Sequence, residues 1–349
     1  KDPMSAYAEL ATMSNFSFLE GGSHAAELII QAHGLGLKGI GIADRNTFAG
    51  IVRAHDAWGS EDYGNVRAAG FRLVVGVRLV FRDGTPDILA YPRDLAAYGR
   101  LCQLLSFGKR RAPKGECHLD FGDLAAHAEG SLFILMPPAR LAGDLGAALG
   151  RLAVLAPGRT WLAAVLYRGG SARRRLATLS ALAWDHRVRL IAVNDVLYHA
   201  PERRPLQDIL TCIREKTTIE KAGRRLAMNA ERHLKPGVEI ERLFRDFPGA
   251  VAEAARFLGQ IRFTLDEIEY EYPHETVPEG MTPQAHLEAL AREGARKRYP
   301  DGVPASVTAT LDKELAMIGS LGYAPYFLTV HDIVAFATGR GILCQGRGS

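Results

Sequence analysis

Two rhythms of apolar and polar positions alternate along most of the chain. Short β-rich runs at Tyr7–Leu10, Gly39–Ala43, Leu73–Phe81, Ile88–Tyr91, Leu132–Leu135, Trp161–Leu166 and Leu190–Val193 predict strands, that at Gly39–Ala43 a buried one. Helical spacing fills the intervals. Ala25, Leu28, Ile29 and Ala32 share one helix face, capped by Ser23 and stopped near Gly34 and Gly36. Further helices are expected over Ala49–Trp58, Leu95–Phe107, Leu141–Leu152 and Ser171–His186. Strands alternating with helices predict βαβ units around a parallel sheet, and so many units favour a barrel over an open sheet.

The rhythm changes after a helix at Pro205–Glu215. Residues 216–236 are polar and basic, and mostly helical patterns follow at Val238–Phe244, Ala250–Leu258, Pro283–Arg298 and Val307–Leu321. Pro273, Pro278 and Pro283 mark an irregular linker, and the domain boundary is expected near residues 230–236. Towards the end Val330, Ile333, Val334 and Ala337 form one helix face, with Thr329 and Asp332 as a start signal. Gly339 and Gly341 break it, Ile342-Leu343-Cys344 predicts a short buried strand, and Gly346-Arg347-Gly348-Ser349 is a glycine-rich loop. Glycines let backbone N–H groups approach phosphate oxygens, while Arg347 and Ser349 add a charge and a hydroxyl. Most such loops are nevertheless plain turns.

Composition narrows this picture a little. With 349 residues, 47% hydrophobic and 23% charged, the chain is an ordinary globular one, long enough for two domains. Its net charge of +4 neither demands nor excludes nucleic acid. Cys102, Cys117, Cys212 and Cys344 have no CxxC pairing, which argues against a zinc or disulfide framework and for a reduced, cytoplasmic protein. No apolar run is long enough to span a membrane. Lys1-Asp2-Pro3 ahead of Met4 reads as a cloning remnant. His24, His33, His55 and His127 lack ligand-like partners, and the Lys109-Arg110-Arg111 run with Lys114 reads as a solvated loop before it reads as a DNA contact. Tyr270, Tyr272, Tyr323, Tyr326 and Phe327 are core candidates first and base-stacking groups second.

The stretch GYAPYFLTVHDIV followed by GRGILCQGRGS resembles the start of the palm in bacterial C-family DNA polymerases, the DNA polymerase III alpha-subunit family. The resemblance implies that Gly348 and Ser349, with Arg347, hold the triphosphate of the incoming nucleotide. His331 is expected in the first turn of the palm helix, where a helix N-terminus favours capping or a phosphate. The resemblance also implies that the catalytic carboxylates lie beyond residue 349, so no catalytic residue is expected in this stretch and the chain alone is expected to be inactive. YAELATMSNFSFLEGGSH, GLKGIGIADRN and IAVNDV resemble the PHP (polymerase and histidinol phosphatase) domain that precedes that palm. The implied architecture is α/β: a PHP-type distorted (β/α)7 barrel over residues 4–232, then a mostly helical α+β segment of the palm over 233–349.

Active PHP domains hold up to three divalent ions with His, Asp and Glu, and hydrolyse phosphoesters through metal-activated water. Matched position by position, the first His-x-His of the family falls on Ala11-Thr12-Met13, its Asp-His on Asp44-Arg45, a Glu on Arg78, a later His on Arg168 and the final Asp-x-His on Asp195-Val196-Leu197. Two carboxylates, Asp44 and Asp195, remain, and three arginines stand where cations would bind. These arginines are expected to fill the pocket and pair with Asp44 and Asp195, so no metal is expected there. Loss of the ligands resembles the error-prone, ImuC-type branch of the family. By that resemblance the parent uses Mg2+, primer–template DNA and deoxynucleoside triphosphates, with a sliding clamp and accessory mutagenesis proteins as partners. The alternatives are a stand-alone PHP-type phosphoesterase and a non-catalytic docking module.

Overall fold

The computed structural model describes residues 7–141, 144–166, 172–269 and 277–345. Strands β1 (Ala8–Thr12), β2 (Gly39–Arg45), β3 (Arg72–Leu79), β4 (Ile88–Pro92), β5 (Ser131–Leu135), β6 (Thr160–Ala164) and β7 (Arg189–Ala192) form one mixed sheet in chain order. Around it pack α1 (Ala25–Gly34), α2 (Ala49–Gly59), α3 (Leu95–Arg110), α4 (Phe121–His127), α5 (Leu145–Leu155) and α6 (Ala172–Asp185). The sheet curls until its ends meet. Val196 N–H donates to Ala11 O at 2.7 Å and Met13 N–H to Val196 O at 3.0 Å, so the segment beyond β7 pairs with the end of β1. The result is an α/β half-barrel closed by that bridge.

Both faces of the sheet are covered, which is why most of its strand positions are apolar. In β5, Leu132 and Ile134 face the core shared with α1 and α2, while Phe133 and Leu135 face the core of α3, α4 and α5. The side-chain period of two sorts one sequence into two cores. Tyr91 of β4 fills the concave side. It donates to Leu10 O, and a Cβ on Gly41 or Gly76 would lie 2.4 Å from it, so both positions must be glycine for the ring to fit.

One strand departs from the expected parallel pattern. β4 is antiparallel to both β3 and β5. The segment between β3 and β4, residues 80–87, is too short for a crossover helix, and only a hairpin can join strands that closely.

Beyond β7 come α7 (Arg204–Arg214), α8 (Ile219–Ala222), α9 (Gly237–Leu243) and α10 (Pro248–Gly259). Packing divides the chain between Ile268 and Glu269, downstream of the boundary expected from composition near residues 230–236. The reason is that α10 belongs to the barrel. Phe257 meets Trp161 and Tyr91 edge-on, with ring centroids 4.8 and 5.4 Å away. Buried Glu253 accepts from Trp161 Nε1 at 3.0 Å and from Arg189 at 2.9 Å.

The second unit contains α11 (Pro283–Arg298), α12 (Ala305–Ser320) and α13 (Ala324–Gly339) around a small core of Leu287, Leu315, Ala324 and Leu328. Two local expectations fail here. Thr329 lies inside α13 and its hydroxyl bonds back to Pro325 O at 3.0 Å, because the helix already starts at Ala324 with proline in its first turn. Ile342–Cys344 is exposed and forms no strand; among the described residues of this unit there is no strand for it to pair with. A second cap, in the first unit, also shifts. His24 is the N-cap of α1, with Glu27 returning to His24 N–H at 2.8 Å, whereas the Ser23 hydroxyl accepts from His199 N–H at 3.0 Å.

Candidate functional site

The ends of β1, β2, β3 and β7 converge on a polar cavity of about 380 Å³ within the first unit. Its centre is Asp195, which follows β7 in a left-handed conformation (φ 50°) that aspartate tolerates better than most residues. Buried Arg78 of β3 pairs with one Asp195 oxygen and lies 3.5 Å from Asp87. Arg232 takes the other Asp195 oxygen at 2.5 Å, and its Nε donates to the Asp195 carbonyl at 2.8 Å. Nearer the mouth Arg45 pairs with Glu20, and Arg214 stands 3.8 Å from the same carboxylate. Met13 and Leu197, with Tyr198, supply an apolar wall, and Ala11 is buried in β1.

Asp44 has a different environment from the one expected. Its partners are serines, not arginines. One oxygen accepts from Ser14 N–H and Ser17 Oγ, each at 2.7 Å, and the other from Ser14 Oγ at 2.7 Å. A Cβ on Gly50 would fall 2.2 Å from that second oxygen, so α2 closes over the carboxylate. Asp44 therefore pins the turn of residues 14–21 instead of lining the cavity, and Arg45 turns away from it towards Glu20. Burial pushes the Asp44 carboxyl up, and the hydroxyl and amide donors oppose that shift.

The cavity's charges do not suit a cluster of metal ions. Arg45, Arg78, Arg214 and Arg232 face Glu20, Asp87 and Asp195, so cationic side chains outnumber carboxylates. Each carboxylate lies within ion-pair distance of a guanidinium, which stays protonated at any working pH. Several close divalent ions need many free donors, and among the described residues no three His, Cys, Asp or Glu side chains are grouped to bind a metal. Burial pushes the Asp87 carboxyl up from its ordinary value, while the charges of Arg78 and Arg45 oppose that shift. What this arrangement supplies is an ion-paired lock between β3, the segment after β7 and residue 232.

Glu20, Asp87, Arg214 and Arg232 were not singled out by motif. Arg232 sits in a polar stretch that reads as linker, and nothing in its sequence neighbourhood ties it to Asp195. Glu9 was also missed. It is buried in β1, accepts from Tyr7 Oη at 2.7 Å and from the amides of Ala11 and Asn194 at 2.9 Å each, and burial pushes its carboxyl up to about 7. A lone acidic residue at an otherwise apolar strand position was the available signal.

Other expected positions are dispersed. Arg168, Arg347, Gly348 and Ser349 lie outside the described residues, as do Tyr270 and Tyr272. His331 lies well inside α13, past its first turn, beside Asp332 at 3.0 Å. In the basic run Arg111 pairs with Asp123, while Lys109 and Lys114 are exposed. No helix is long and apolar enough to cross a membrane, among the described residues.

Residues 285–349 match the family model described as the bacterial DNA polymerase III alpha NTPase domain. A protein of Rhodopseudomonas palustris (strain BisB5) named "Error-prone DNA polymerase" is 57% identical over 99% of this chain. The chain is a homologue of the bacterial error-prone DNA polymerases. Relatives of the same name from Bradyrhizobium sp. (strain ORS 278) and Brucella abortus biovar 1 (strain 9-941) are 55% and 53% identical over 98% of it. The chain spans about a third of the length of these curated relatives (31%, 30% and 32%). These matches run across both packing units of the chain, not only the segment covered by the family model. Solved structures with partial likeness include a candidate metal-dependent phosphoesterase from Bifidobacterium adolescentis, 17% identical with a TM-score of 0.40, covering 54% of this chain and 86% of that one. An amidohydrolase from Chromobacterium violaceum is 13% identical with a TM-score of 0.39, covering 55% and 87%. At such TM-scores these likenesses carry no argument of their own.

Proposed function

We propose that this chain is the amino-terminal part of an error-prone DNA-directed DNA polymerase acting in mutagenic repair synthesis after DNA damage, in the cytoplasm. The observation that carries this reading is identity above one half, over nearly the whole chain, to proteins bearing that name. The parent transfers a nucleotidyl group from a deoxynucleoside triphosphate to a primer 3′ end on template DNA, assisted by Mg2+ held on carboxylates outside this stretch. The unit that ends at Ile268, α10 included, serves as a PHP-type domain and the residues from Glu269 on as the first part of the palm, with Gly348, Ser349 and Arg347 at the triphosphate. The PHP-type domain is a scaffold without proofreading: its remaining carboxylates Asp44 and Asp195 are committed to serines and arginines. A sliding clamp and accessory mutagenesis proteins are its expected partners. The same commitments weigh against a stand-alone phosphoesterase.

The test is a primer-extension assay. The chain alone is expected to add no nucleotides. Joined to the downstream region of the Rhodopseudomonas palustris relative, it is expected to extend a primer in Mg2+, and Ser349→Ala in that fusion to lower extension at limiting nucleotide. Incorporation by the chain alone, or none by a folded fusion, would overturn the reading.

A further inference from the structure

Beside the arginine-lined cavity, and still within the first unit, runs a second and larger concavity of about 950 Å³. One wall is the turn of residues 14–21 that Asp44 holds through Ser14 and Ser17. That turn presents two aromatic rings outwards: Phe16 is 38% and Phe18 is 82% exposed. The concavity is also lined by the end of α3 and the loop after it, with Lys109 and Lys114, and by Arg82 beyond β3. Arg45 and Arg214 stand where the groove meets the cavity. Glu20 and Glu116 are its acidic residues, so five Arg and Lys side chains face two carboxylates. Glu20 is taken by Arg45, and Glu116 lies 2.9 Å from His118. Lys109 and Lys114 have no ion-pair partner among the described residues.

Two features need a common explanation. A phenylalanine exposed to 82% on a turn this firmly held contributes nothing to the core beneath it. Lysines without an ion-pair partner among the described residues line the same groove and concentrate positive charge where a ring also waits. Anions alone would not use the rings, and an apolar partner would not use the lysines. A strand of nucleic acid uses both, because its bases stack on aromatic faces while its phosphates track the cations. A duplex keeps its bases stacked inside and offers only phosphates to such a groove.

We propose that this groove binds single-stranded nucleic acid, with bases stacking on Phe18 and Phe16 and the backbone running along Lys109, Lys114 and Arg82. The inference does not depend on the polymerase reading, since every residue in it lies in the first unit. Asp44 then acts as the anchor of a stacking platform.

The probe is a fluorescein-labelled dT12 oligonucleotide, titrated with the whole chain by fluorescence anisotropy over a salt series. Saturable binding is expected, at least tenfold tighter than to a duplex of the same length. Phe18→Ala should weaken it about tenfold and Phe18→Trp should retain it. Lys109→Glu with Lys114→Glu should also weaken it and reduce the slope of log K against log salt by about 1.4, at about 0.7 for each phosphate no longer neutralised. These side chains are exposed, so thermal melting should not change in any of the variants. No saturable binding, equal affinity for duplex, or variants that bind like the parent would overturn the proposal. So would equal competition by a polyglutamate peptide, which would reassign the groove to an acidic protein partner.

Discussion

The two packing units solve the problem of burying apolar surface in opposite ways. In the first, a curled sheet is covered on both faces, and its buried charges are tied to partners: Asp195 to two arginines, Asp44 to two serines, Glu253 to Trp161 and Arg189. In the second, four of the described residues make the buried core, while α13 leaves Tyr326, Val330, Ile333 and Phe336 between 42% and 63% exposed. A helix apolar on a face that it does not bury is built to be covered by something else. The first unit thus buries its apolar surface within itself, while the second leaves an apolar helix face exposed.

The largest effect expected from that contrast concerns independence. Residues 4–268 produced alone should unfold in urea as one cooperative transition, whereas residues 277–349 alone should show none and should bind a hydrophobic dye. A sharp transition in the short piece would break the contrast. Next comes the ion-paired lock. Asp195→Ala leaves Arg78 and Arg232 without their shared carboxylate in a mostly buried site, and should lower the stability of the first unit by about 3–5 kcal/mol in denaturant titration. A loss below about 1 kcal/mol would place Asp195 among ordinary surface pairs.

A smaller effect should appear with pH. The Glu9 carboxyl is raised from its ordinary value of 4.5 to about 7, so between these values the folded state holds a proton that the unfolded state has lost. Stability from this group is therefore full below about pH 4.5, falls as pH rises towards 7, and is then constant at roughly 3 kcal/mol less. Glu9→Gln should lower stability overall, because one acceptor becomes a donor, yet should flatten that decline. An unchanged slope in urea titrations from pH 5 to 7 would assign the decline to other groups.

Much of the barrel was legible from short apolar runs, because a strand buried on both faces advertises itself in sequence. The antiparallel β4 was legible in principle, since Arg82-Asp83-Gly84-Thr85-Pro86-Asp87 is rich in turn formers and too short for a crossover. Ile342-Leu343-Cys344 misled for the complementary reason: apolar residues make a strand only where another strand offers hydrogen bonds. At the cavity, the match of Arg78 and Asp195 to ligand positions placed a charge pair in view. Arg232 could not be placed that way, because its approach to Asp195 depends on how the chain returns after α8. The serine partners of Asp44 likewise depend on a turn whose shape is set by the tertiary fold.

The bridge between Thr12 and Val196 has a consequence for how the protein is made. A ribosome releases β1 long before the residues that close the barrel, so one edge of that strand has no partner until the chain has grown past residue 196. Until then the nascent chain exposes an apolar strand edge of the kind that invites pairing with a neighbour. The barrel cannot ripen step by step as it emerges. It is finished by its last segments, when the loop carrying Val196 and then α10 arrive.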